Sequence, residues 1–128
     1  MNFKCNRISI SDEELGCTIS FYEKEKEDNK ENRSVNEIID SIGTYLMLQR
    51  TYPEDEFEKD FCYIEMNDIE KSGELKEFEM ILKRTRFQIN WNGNKAEIEF
   101  KIEEEKYKEL KDALRLISKA GGILIAEE

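Results

Sequence analysis

The stretch Phe87-Gln88-Ile89-Asn90-Trp91-Asn92-Gly93-Asn94-Lys95-Ala96-Glu97-Ile98-Glu99-Phe100 alternates apolar and polar side chains on either side of an Asn-Gly pair. Successive side chains of a strand point to opposite faces, so Phe87, Ile89 and Trp91 share one face against Gln88 and Asn90. Asn-Gly accepts the positive φ angles of a tight turn, which makes the stretch a hairpin. The pattern continues both ways. Upstream, Phe78, Met80 and Leu82 alternate with Glu79 and Lys83; downstream, Ile98, Phe100 and Ile102 oppose Glu97, Glu99 and Lys101. Three such runs predict an antiparallel meander with one wet face.

From Glu104 the period lengthens. Tyr107, Leu110, Leu114 and Ile117 fall on one side of a helix, Ala113 and Leu116 widen the stripe, and Gly121-Gly122 stops it. Ile123–Ala126 reads as a short last strand or as an apolar tail on the sheet. Toward the N-terminus, residues 3–10 and 17–22 read as strands joined by the Asp12–Gly16 turn. Residues 23–33 contain no apolar side chain and read as a solvated loop. Ser34 and Glu37 fit a capping box, with Val35, Ile38, Ile39 and Ile42 at helical spacing before Gly43. Residues 44–51 favour a strand after that glycine, with a helical extension as the alternative. The expected fold class is α+β. An antiparallel sheet of about six to eight strands carries a short helix near 35–42 and a C-terminal helix near 104–119 packed on it.

The chain of 128 residues suits a single domain, expected to span residues 1–128. Its 38% hydrophobic content, with seven Phe, five Tyr and one Trp, is enough to bury a core. No apolar run approaches the roughly 20 residues that span a bilayer. The N-terminus lacks the apolar stretch of a signal peptide, so a cytoplasmic location is expected. Three cysteines without a CxxC pair fit a reducing compartment. Cys5 and Cys17, on adjacent expected strands, read as two small apolar side chains or as a pair that could approach each other.

A formal charge of −10, with Lys and Arg interleaved among Glu, disfavours direct contact with nucleic acid or an anionic membrane. An acidic surface serves solubility, and it also steers encounter with a basic partner. The chain has no histidine, which excludes Ser-His-Asp and Cys-His arrangements. It has no phosphate-binding glycine motif, no calcium loop and no metal-type cysteine spacing. No enzyme activity, cofactor or metal is expected, and carboxylates remain the only acid-base candidates.

The loop Glu54-Asp55-Glu56-Phe57-Glu58-Lys59-Asp60 places five carboxylates among the aromatics Tyr52, Phe57, Phe61 and Tyr63. Interfaces favour aromatic anchors with charges that steer and set register, so Tyr52, Glu54, Asp55, Glu56, Phe57, Glu58 and Asp60 form the candidate binding set. The plainer reading makes Phe57 and Phe61 core residues and leaves the acids to solvate a turn.

Tyr45-Leu46-Met47-Leu48-Gln49-Arg50, then Cys62-Tyr63-Ile64-Glu65, the Ser72-Gly73 turn and the strands at 78–83 and 86–91 carry a resemblance. In order and spacing they resemble a family of immunity proteins from bacterial polymorphic-toxin systems, including contact-dependent inhibition. The similar stretch runs roughly from residue 44 to 117, and the first 43 residues lie outside it. The resemblance implies an antitoxin that binds and neutralises a cognate toxin domain, of which nucleases with basic clefts are one kind. It carries over no binding residues. The alternative is a small acidic secretion chaperone or adaptor, which would dimerise and hold an unfolded segment of its client. The sequence leaves the oligomeric state open, with a monomer as the favoured expectation.

Overall fold

The computed structural model describes residues 1–25, 43–55 and 60–127. In chain order the elements are β1 (Asn2–Lys4), β2 (Arg7–Glu13), β3 (Gly16–Tyr22), β4 (Tyr45–Thr51), β5 (Phe61–Met66), β6 (Gly73–Leu75), β7 (Phe78–Lys83), β8 (Arg86–Trp91), β9 (Asn94–Glu99), α1 (Glu104–Ser118) and β10 (Gly122–Ala126). The protein is α+β. The short helix expected near 35–42 lies outside the described residues.

The strands form two five-stranded sheets rather than one sheet of six to eight. The first has the order β1-β9-β8-β7-β10 and the second β2-β3-β4-β5-β6. The second sheet is an unbroken antiparallel meander. In the first, the expected meander β7-β8-β9 is flanked by two parallel pairings, β1 with β9 and β10 with β7. The run at residues 3–10, read as one strand, divides at Cys5-Asn6. The Cys5 amide donates to the Glu99 carbonyl at 2.7 Å, and the Asn6 amide donates to the Tyr22 carbonyl at 2.8 Å. The chain thus crosses from one sheet to the other within two residues. Between β5 and β6 the chain makes a 3-10 turn at Ile69–Lys71, capped by the Asp68 side chain. Of the two readings of Ile123–Ala126 the strand holds, paired with β7.

Local sequence explains the turns. Asn92 (φ 46°) and Gly93 (φ 78°) both have positive φ, as a two-residue hairpin between β8 and β9 requires. Gly121 has φ 114°, and a Cβ on the next residue, Gly122, would collide with the Phe78 ring. The glycine pair therefore ends the helix and also lets β10 lie tight against β7.

The core fills the space between the sheets. Phe21 of β3 and Phe87 of β8 stack with centroids 5.1 Å apart and planes 10° apart. Around them lie Ile19, Leu46, Leu48, Ile64 and Met66 from one sheet and Met80, Leu82, Ile89 and Ile98 from the other. Helix α1 rests against β2, β3, β4 and β10, burying Tyr107, Leu110, Ala113, Leu114 and Ile117. Two side chains tie the layers by their polar ends. Trp91 Nε1 donates to the Lys71 carbonyl at 3.3 Å, and the Tyr107 hydroxyl donates to the Glu127 carbonyl at 2.6 Å. The three cysteines are buried and free, so Cys5 and Cys17 form no bridge.

Candidate partner-binding site

The candidate set lies where β4 leaves its sheet and β5 enters it. Leu46 and Leu48 point inward, and the alternation turns Arg50 to the same face. Arg50 sits across from Cys17 on β3 and Cys62 on β5. Its side chain is only 12% exposed. Nε and Nη2 donate to Asp60 Oδ1 at 3.2 and 2.9 Å, and Nη1 donates to the Leu116 carbonyl at 2.9 Å. The Leu116 carbonyl, which also accepts from the Lys119 amide at 3.3 Å, lies in the last turn of the helix, so the guanidinium meets the negative end of the helix dipole. Arg50 therefore clamps α1 to the second sheet.

Tyr52 extends the clamp. Its ring lies beneath the Arg50 guanidinium, 4.9 Å from centroid to Cζ, and its hydroxyl donates to Asp12 Oδ1 at 2.6 Å. Its amide donates to the Leu15 carbonyl at 3.0 Å, closing the edge next to the β2–β3 turn. Burial first, then the hydrogen bond and charge of Asp12, push the Tyr52 phenol up to about 12. Beside it, burial pushes the Cys17 and Cys62 thiols up to about 11. These thiols are neutral near pH 7 and poor nucleophiles.

The seven candidates thus divide. Tyr52 and Asp60 are engaged inside the molecule, Tyr52 half-buried against the core and Asp60 paired with Arg50. Glu54 and Asp55 are exposed just beyond β4. Glu56, Phe57 and Glu58 lie outside the described residues. Sequence spacing could not assign Tyr52 and Asp60 to the clamp. Their partners Asp12, Arg50 and Leu116 come together only when the second sheet and the helix assemble.

The outer face of the second sheet adds residues that the candidate set omitted. Cross-strand pairing places Tyr22 beside Tyr45, Met47 beside Glu65, Gln49 beside Tyr63 and Thr51 beside Phe61. Phe61 is 41% exposed, and the Arg7 guanidinium stacks over Tyr22 at 4.0 Å. Burial and the adjacent Glu65 raise the Tyr45 phenol above its ordinary value. The signal was present in the sequence: the outward set of β4 and β5 puts Tyr45, Met47, Tyr63 and Phe61 beside only one charged residue, Glu65, whereas a solvated outer face is mostly charged. Phe61 immediately follows Asp60, so aromatic surface and carboxylates adjoin at this end of the sheet.

Among the described residues no three carboxylates or thiols gather where they could hold a metal ion. No described helix is long and apolar enough to cross a membrane. No protein-family model, curated protein or solved structure matches this chain.

Proposed function

We propose that this chain is a cytoplasmic immunity protein that binds a cognate toxin domain with a basic surface and occludes its active site. The observation that carries the reading is the acid-and-aromatic end of the second sheet. Exposed Phe61 opens β5 there, half-buried Tyr63 follows on the same face, and exposed Glu54 and Asp55 follow the end of the paired strand β4, on a chain of net charge −10. An exposed aromatic at the end of a sheet where the chain carries carboxylates suits a partner rich in Lys and Arg. The residues that resemble the immunity family form the frame beneath this patch, with Leu46 and Leu48 in the core and Arg50 as the clamp. A cognate nuclease domain is one partner of the right charge.

The test is binding to a folded basic toxin domain encoded beside this chain, measured by titration calorimetry at several salt concentrations. Glu54→Lys with Asp55→Lys is expected to weaken binding at least tenfold at low salt and to flatten its salt dependence. Phe61→Ala is expected to raise the dissociation rate. Undiminished affinity of both variants would remove the site. A chain that bound only denatured segments would be a chaperone instead.

A further inference from the structure

Among the described residues, most sheet edges are guarded. Edge strand β1 is three residues long and carries Lys4, and β6 is equally short and carries Glu74. Edge strand β2 carries Arg7, Asp12 and Glu13. Short edges and charged side chains are the usual protection against pairing with another chain. The fourth edge, β10, has neither charge nor proline: it reads Gly122-Ile123-Leu124-Ile125-Ala126. Ile123 and Ile125 are 63% and 55% exposed on one face, with Ile81 of β7 beside Ile125.

The hydrogen-bond phase of this edge is defined. The Glu127 amide donates to the Leu82 carbonyl at 2.8 Å, and Ala126 is in register with Leu82. A parallel ladder uses alternate residues of each strand, so Ile123, Ile125 and Glu127 turn their backbone groups toward β7. Gly122, Leu124 and Ala126 turn theirs outward, and no described group bonds them there.

We propose that β10 pairs with β10 of a second copy of this chain, antiparallel about Leu124. In that register the outward N–H and C=O of Leu124 exchange hydrogen bonds with Leu124 of the second copy. Gly122 does the same with Ala126 of the second copy, and the reverse. Ile123 then faces Ile125 of the second copy at a non-hydrogen-bonded position, where side chains approach most closely. The sequence of the edge is self-complementary, as a two-fold interface requires. Charge agrees with it: two copies of net charge −10 meet along a strand without charge. The acidic end at Glu127 comes opposite Gly121 of the second copy, beside its exposed Lys119. One five-residue edge makes a small interface, so the dimer is weak and concentration-dependent. It departs from the monomer that the sequence reading takes as default.

The test is sedimentation velocity of the full chain over a concentration series, together with engineered thiols. Wild type is expected to move toward twice the mass of the 15.2 kDa chain as concentration rises. Ile123→Lys with Ile125→Lys is expected to remain monomeric throughout, and Ile125→Glu alone serves if the double variant does not fold. A mixture of Ile123→Cys and Ile125→Cys chains is expected to form disulfide-linked heterodimers under mild oxidation, far more than either variant alone, because only the mixed pair is in register. The native cysteines are buried and do not compete. A wild type that stays monomeric to millimolar concentration, a dimer untouched by the lysines, or equal cross-linking in all three samples would overturn the proposal. The first result would leave the edge to a strand from a different protein.

Discussion

At the scale of single residues, Arg50 does the most to connect distant parts of the chain. It bonds Asp60 and the Leu116 carbonyl and covers the Tyr52 ring, in surroundings that leave 12% of its side chain exposed. Removing one member of a buried, hydrogen-bonded charge pair leaves the other uncompensated. Arg50→Met is therefore expected to lower stability by about 2–4 kcal/mol in urea unfolding, Asp60's partial exposure keeping it below the cost of a fully buried pair. The protonation of its neighbours gives a second expectation. The folded chain holds the Cys17 and Cys62 protons up to about 11, against an ordinary 9.0, and the Tyr52 proton up to about 12, against 10.0. The unfolded chain releases those protons at lower pH, so the raised values favour the folded state fully only below the ordinary ones. Stability is expected to hold up to about pH 9, to fall from there through about 11, and to fall further to about 12 as Tyr52 contributes. Denaturant midpoints between pH 8 and 12 check this, and an unchanged midpoint at pH 11 contradicts it.

At the scale of elements, the alternation in β7, β8 and β9 and the helical stripe of α1 are legible in sequence because each is a local period set by backbone geometry. The Asn92-Gly93 turn is legible for the same reason: its positive φ angles are a property of those two residues. Sequence also points to Gly121-Gly122 as a helix stop, but says nothing of the Phe78 ring against Gly122. Gly122→Ala is expected to push β10 away from β7 and to destabilise the fold by about 1–3 kcal/mol, an overpacking cost readable in the thermal midpoint. A neutral outcome would mean that Phe78 swings clear without loss. The strand β6 was illegible because it is three residues long, too short for a period to declare itself.

At the scale of the whole molecule, the two sheets share one core through the Phe21–Phe87 stack. Phe21→Ala is expected to cost about 3–5 kcal/mol, with far-ultraviolet circular dichroism and Trp91 fluorescence still tracing one coincident transition. Separate transitions would mean that the sheets fold independently. The sequence by itself determined the α+β class, the central meander, the C-terminal helix, the acidic balance and the absence of histidine chemistry. All of these follow from composition or from periods shorter than one element. Only the tertiary structure decided that the strands divide between two sheets, because the parallel pairings of β1 with β9 and of β10 with β7 join segments far apart in the chain. It likewise decided that Tyr52 and Asp60 serve an internal clamp, while Phe61 on the outer face of the second sheet and Ile123 and Ile125 on the β10 edge stay exposed. A side chain's partners depend on which strands lie alongside its own, and strand order is a property of the assembled chain.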